Sequence, residues 1–408
     1  MKNEPKIITL DNSIRVVLQK SQGNVAYCGL TVGAGTSQEL ANEHGIAHFI
    51  EHVLFKGTKK RSALDICYGL EHDGGELNAF TSRESTNIYA VVQKSEFGKA
   101  LEMICDLVFN STFPSIELER EKGVIASEIN STSCNLSEVI YDKSIEYLFK
   151  HDAIGKSILG TKKTIKTFTA DDVRAFIKRN YVNEKIVLSV VGDVDEDDLL
   201  KMSNKYLAKY NNHAKPEESA KISEYKTYKK EFASDSAQAF CMISNRAYCV
   251  SDKRSIGLSL LTNILGGPIF SSRLNISLRE QNGLVYDIST SFEAFENAGV
   301  FQIYFETAKK NLKKSIKLIL AELDILRAKK ISKKDLDYAK HRFIGQLMIQ
   351  NENLEQRMID NAKMLLLFGK IENIEKQKEK INALTSDDLH KIANEIFAED
   401  KLSFISYT

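Results

Sequence analysis

Two stretches of this chain, 217 positions apart, open in the same way. Ser115-Ile-Glu-Leu-Glu-Arg-Glu-Lys and Ser332-Lys-Lys-Asp-Leu-Asp-Tyr-Ala-Lys each set a serine and a nearby acid at the head of a long amphipathic run. That pattern starts helices, because the hydroxyl can accept from a first-turn N–H and the acid suits that turn's positive end. The surrounding elements recur as well. In the first half, β-rich segments at Ile14–Gln19 and Val25–Val32 precede helical patterns at His44–Phe55 and Ala63–His72. A hairpin at Glu76–Ser82 and Thr86–Gln93 comes next, then helices from Ser95 and Ser115, a strand at Lys185–Gly192 and a helix from Glu196. The second half runs in the same order. A strand at Ala239–Ser244 leads to helices at Arg254–Leu265 and Ser271–Glu280, a hairpin at Leu284–Ser291 and Gly299–Glu306, helices from Lys309 and Ser332, and a strand at Leu402–Tyr407.

A unit of roughly 200 residues used twice predicts an α+β fold of two homologous α/β-sandwich domains, each a mostly antiparallel sheet with helices packed on one side. A chain of 408 residues is long enough for two cores. The most polar and least periodic stretch, Tyr210–Tyr225, contains Pro216 and lies near the midpoint. It sets the expected boundaries at 1–213, a linker at 214–224, and 225–408.

Charge removes one class of function. Lys and Arg number 56 against 55 Asp and Glu, a net of +1, which leaves no electrostatic footprint for nucleic acid. No apolar run approaches the ~20 residues that cross a bilayer. Met1 to Asp11 is polar, contains Pro5, and has neither the apolar region nor the cleavage site of a secretion signal. Six scattered cysteines, with no CxxC pair, read as thiols in a reducing compartment. A cytoplasmic protein is expected.

The chemistry lies at residues 44–58. In His48-Phe49-Ile50-Glu51-His52 two histidines stand at i and i+4, which puts both imidazoles on one helix face within reach of one ion. Glu51 projects near that face and is the right residue to accept a proton from a water acidified by the metal and to return it. Phe49, Ile50, Val53 and Leu54 make the helix half buried, where a polar trio without a partner would be costly. A competing reading makes His48 and His52 satisfied core histidines with Glu51 in a local ion pair. A catalytic zinc takes three protein ligands and keeps a position open, so a third ligand must come from elsewhere. Glu121 and Glu128, seven apart on the helix from Ser115, offer one carboxylate to the metal and one to orient a histidine. Glu128 follows the apolar Val124–Ala126 turn and is expected to point inward. His44 precedes Gly45 and is read as a non-ligand, and the other histidines have no motif around them.

At these residues the sequence resembles the M16 family of metallopeptidases, the inverzincins: His48-x-x-Glu51-His52 matches their inverted zinc signature. The resemblance implies His48, His52 and Glu128 as ligands of one Zn2+ per chain, with Glu128 lying 76 residues beyond His52. It implies Glu51 as general base and Glu121 as the supporting carboxylate. Gly74-Gly-Glu-Leu-Asn78-Ala79-Phe-Thr81 resembles the family's edge strand, where Asn78 and the backbone near Ala79 hold an extended peptide. Leu159-Gly-Thr with Ile165 and Phe168, and Val191-Gly-Asp-Val, are similar to the end of its first domain. In the second half, Leu278-Arg279-Glu-Gln-Asn-Gly283-Leu-Val-Tyr286 resembles the Arg and Tyr that act on the substrate from the other domain. Tyr286 would hydrogen-bond the developing oxyanion, and Arg279 would bind the peptide backbone or position Tyr286.

The size is similar to that of the short M16B subfamily, which implies a homodimer enclosing a chamber, with a heterodimer with a related chain as the alternative. The activity implied is endopeptidase or oligopeptidase cleavage of unfolded peptides or a small precursor. Two other readings remain: a catalytically silent scaffold or partner subunit, and a zinc hydrolase of another bond class.

Overall fold

The computed structural model describes residues 4–213 and 222–408, so most of the expected linker, 214–221, lies outside the described residues. The first half builds one six-stranded sheet from β1 (Lys6–Thr9), β2 (Arg15–Lys20), β3 (Val25–Val32), β4 (Glu76–Thr81), β5 (Thr86–Gln93) and β6 (Ile186–Gly192). Their order is β1-β2-β6-β3-β5-β4, antiparallel except for the β2–β6 pair. The second half builds a five-stranded sheet from β7 (Lys229–Phe232), β8 (Gln238–Ala247), β9 (Val285–Ala294), β10 (Gly299–Ala308) and β11 (Ser403–Tyr407), in the order β7-β11-β8-β10-β9. Only β7 and β11 run parallel. The expected α+β plan, with one sheet from each half of the chain, holds.

The central strands explain how the layers are filled. Every residue of β6 is buried, and its run of Ile, Val and Leu shows no polar alternation. A strand buried on both faces needs cover on both. On one face Val16, Leu18, Leu188 and Val190 pack with Phe49, Ile50 and Val53 of helix Ile46–Leu54 and with helix Phe97–Asn110. On the other, Val17 and Val187 pack against Ala362 and Leu365 of helix Leu354–Phe368. That helix comes from the second half of the chain. The exchange is mutual, because Ile140 of helix Leu136–Leu148 packs with Met242, Tyr304, Ile405 and Tyr407 of the second sheet. The compact units are therefore not contiguous: the first takes in Gln350–Glu372, and the second takes in Thr132–Gly155. Cover on the second face goes beyond the one-sided packing expected from the sequence.

One expected helix differs in kind. Within Ser271–Glu280 the backbone forms a π-helical turn at Asn275–Glu280, a wider winding that is frequent at functional sites.

Candidate active site

Helix Ile46–Leu54 starts abruptly. Gly45 holds φ 93°, and a Cβ there would come within 2.6 Å of the Gly160 Cα, so only glycine fits. Glycine has no side chain to cap the helix. Glu39 does so from outside, its carboxylate accepting from the N–H groups of Gly45 (2.9 Å) and Ala47 (3.0 Å). Six apolar residues of the helix are fully buried, and the same packing carries His48 down to 7% exposure.

On the remaining face the two imidazoles stand edge to face with ring centroids 4.7 Å apart. His48 Nε2 lies 3.7 Å from Glu128 Oε1, and His52 Nε2 lies 3.5 Å from Glu128 Oε2. Glu128 arrives on helix Ser115–Cys134, where Glu121 and Ile125 are buried. Val124 is half exposed, so of the Val124–Ala126 turn it is Ile125 that marks the inward face, and the Glu128 side chain itself is 40% exposed. Among the described residues, His48, His52 and Glu128 form the group of three whose ligand atoms all lie within 4.8 Å of one another.

The donor set fits zinc. A tetrahedral site with bonds of ~2.1 Å has ligand–ligand edges of about 3.4 Å, close to the two nitrogen–oxygen separations. Burial first, and the neighbouring His52 second, push His48 down to about 4, so its imidazole is neutral with a lone pair to give. Glu121 prepares His52. Burial alone would raise the Glu121 carboxyl, but hydrogen bonds from His52 Nδ1 (3.1 Å) and Lys56 Nζ (2.7 Å) outweigh it and hold the group below the usual carboxylate range. An ionised Glu121 only accepts, so Nδ1 donates and Nε2 is left free for a metal. His48 has no such support: its Nδ1 is buried with no hydrogen-bond partner among the described residues. His44 turns away and pairs its Nε2 with the Ser157 carbonyl oxygen at 3.0 Å.

Glu51, beside this group, is bound through Oε2 by the Thr81 hydroxyl at 2.6 Å. Burial raises its carboxyl above the ordinary value, and the Thr81 contact opposes the rise. A carboxyl moved in that direction is suited to taking and returning a proton near neutrality. Asn78 and Ala79 lie on β4, which ends the sheet and has no strand beyond it among the described residues. The Asn78 side chain is exposed, and Ala79 is half buried.

Arg279 and Tyr286 belong to the second unit. Arg279 sits on the π-helical turn with its guanidinium 5.3 Å from the Phe270 ring centroid and 5.9 Å from that of Tyr286. Both rings are open to solvent, Phe270 at 73% and Tyr286 at 79%. Sequence reasoning met Thr81 only as the end of the edge-strand motif and gave it no role of its own, and it passed over Lys56, Glu39 and Phe270. Lys56 alone left a signal, standing four positions after His52.

Comparison with known proteins agrees with the asymmetry of the two halves. A family model described as "Insulinase (Peptidase family M16)" matches residues 15–162, which contain the whole metal group. One described as "Peptidase M16 inactive domain" matches residues 167–343. The chain is 31% identical over 397 residues to the uncharacterized zinc protease YmxG of Bacillus subtilis, covering 97% of this chain and 96% of that protein. It is 32% identical over 387 residues to an uncharacterized zinc protease of Rickettsia bellii, covering 94% and 92%. In fold it resembles a protease from Helicobacter pylori (TM-score 0.92, 20% identity, 100% of both chains) and a peptidase M16 inactive domain from Pseudomonas fluorescens (TM-score 0.91, 19% identity, 99% and 97%).

Proposed function

The chain belongs to peptidase family M16 and is a zinc metallopeptidase, and we propose that it is an endopeptidase or oligopeptidase acting on unfolded peptides or a small precursor. The observation that carries this reading is the convergence of His48, His52 and Glu128 beside the separately held carboxylate of Glu51. Zinc, when bound, supplies a Lewis acid that polarises a carbonyl and acidifies water. Everything else falls to the chain. His48 presents a neutral nitrogen, Glu121 orients the His52 ring through Nδ1, and Glu128 contributes a carboxylate. Glu51 accepts the proton of the attacking water and delivers it to the leaving amine. The free edge of β4, through the backbone near Ala79 with Asn78 beside it, holds the peptide as an added strand. Arg279 and Tyr286 act on the peptide and not on the metal. The phenol donates to the developing oxyanion, and the guanidinium binds the substrate backbone or positions the phenol.

Assembly and place belong to the same proposal. The subunit size supports a homodimer enclosing a chamber, or a heterodimer with a related chain. Six free cysteines suit a reducing, cytoplasmic setting, and no helix among the described residues is long and apolar enough to cross a membrane. The "inactive domain" description of residues 167–343 keeps the silent-subunit reading in view. The deciding variant is Glu51→Gln. It should lower turnover on a peptide by at least ~10²-fold while the protein still binds one zinc. Unchanged turnover would sink the assignment of the base.

A further inference from the structure

A general base must be aimed at the scissile bond, and a peptide added to β4 can pair only where the edge of that strand is open. One hairpin answers both. Ser82 N–H donates to the Ser85 carbonyl at 2.8 Å, so this pair closes the β4–β5 hairpin with a hydrogen bond. Antiparallel partners alternate between hydrogen-bonded and non-hydrogen-bonded pairs. The pairs Thr81–Thr86, Ala79–Ile88 and Leu77–Ala90 are therefore of the second kind, and Leu77, Ala79 and Thr81 turn their N–H and C=O groups outward from the sheet. β4 is the last strand, so these groups form its free edge.

They are not equally free. The Thr81 hydroxyl donates to Glu51 Oε2, and its outward N–H is directed at the same carboxylate. An incoming strand can therefore pair with Leu77 and Ala79, and at the next outward position it meets the general base. Side chains alternate likewise: Leu77 and Ala79 pack against the core that holds the metal helix, and Thr81 shares their face.

We propose that Thr81 is the positioning residue of the general base, holding Glu51 at the end of the peptide-binding edge so that pairing of substrate with Leu77 and Ala79 brings the scissile bond into register with the carboxylate. This rests on the peptidase reading and extends it. A β-branched threonine suits the place, since a strand end restricts its χ1 and fixes the hydroxyl direction.

The test compares Thr81→Val, which keeps the shape and removes the donor, with Thr81→Ser, which keeps the donor. On zinc-loaded protein and a fluorogenic peptide, Thr81→Val should lower kcat by ~10–100-fold and leave KM within about threefold. Zinc per chain should not change, and Thr81→Ser should recover most of the loss. A second readout needs neither metal nor turnover. In chelated protein the urea midpoints of Thr81→Val, Glu51→Leu and the double variant should be non-additive, because both single changes delete one bond. Full kcat in Thr81→Val, a loss that serine does not repair, or additive midpoints would each overturn the positioning role. A zinc-loaded wild type that cleaves no peptide would instead overturn the peptidase reading, and the positioning role with it.

Discussion

Helices Ile46–Leu54 and Ser255–Gly266 occupy the same place in the repeated plan, each following a core strand, β3 or β8, and packing on its own sheet. The second buries Leu258, Leu260, Leu261 and Leu265 together with two polar residues, Thr262 and Asn263, and Asn263 Nδ2 donates to Gln346 Oε1 at 2.7 Å. The first gives part of its face to His48, Glu51 and His52, and His48 Nδ1 is buried without a partner among the described residues. The first also needs Glu39 to cap it from outside and Glu121 to hold a histidine. Duplication supplied two copies of one scaffold. Both copies bury polar groups, but those of the first converge with Glu128 on one point that a metal can occupy, and the described residues of the second form no such group.

That contrast can be broken at either helix. Leu261→Ala in the second should cost about 2–5 kcal/mol of stability through the cavity it leaves, measured by urea unfolding, with zinc per chain unchanged. A large loss of zinc would show that the second helix is not a purely packing copy. Glu121→Gln in the first should weaken zinc binding ~10–100-fold, read by competition with a chelating dye. Little change would mean that the Glu121 contact does not orient His52. The smallest effect is the most specific. In chelated protein His48→Leu should raise stability by about 1 kcal/mol at neutral pH, because it replaces a buried, unpaired polar group with the kind of residue the second helix uses. It should also alter the response to acid. The His48 folded value is depressed to about 4, below the ~6.5 of an unfolded histidine. Between these values the unfolded chain binds the extra proton, so the metal-free wild type loses stability as pH falls from about 6.5 toward 4. The leucine variant should lose that part of the slope; an identical acid response in both proteins would contradict the burial of His48.

What was legible in the sequence follows the range of each interaction. The His48–Glu51–His52 trio lies within one and a half turns of one helix, so spacing alone places it on one face. The hairpins and the strands β3, β5 and β8 read out through local alternation and turn residues. Glu128 was placed by resemblance, and the local argument for its direction was half right, since Val124 faces solvent and Ile125 does not. The role of Thr81 could not be found locally. Its contact with Glu51 spans 30 positions and depends on where the hairpin passes the metal helix. The exchanged helices Leu136–Leu148 and Leu354–Phe368 escaped for a related reason: a periodic pattern shows that a helix has an inner face, not which sheet it covers. Helices Ala170–Asn180 and Ser386–Ile396 did leave a signal, the capping boxes Thr169–Asp172 and Thr385–Asp388, which sequence reading passed over.

The most direct measurement is metal content taken together with a peptide-library digest of the purified protein, with and without chelator. The account predicts about one zinc per chain, cleavage of unfolded peptides, loss of cleavage when zinc is stripped, and recovery when it is restored. Cleavage that persists in metal-free protein, or a zinc-loaded protein that cleaves nothing, would contradict it.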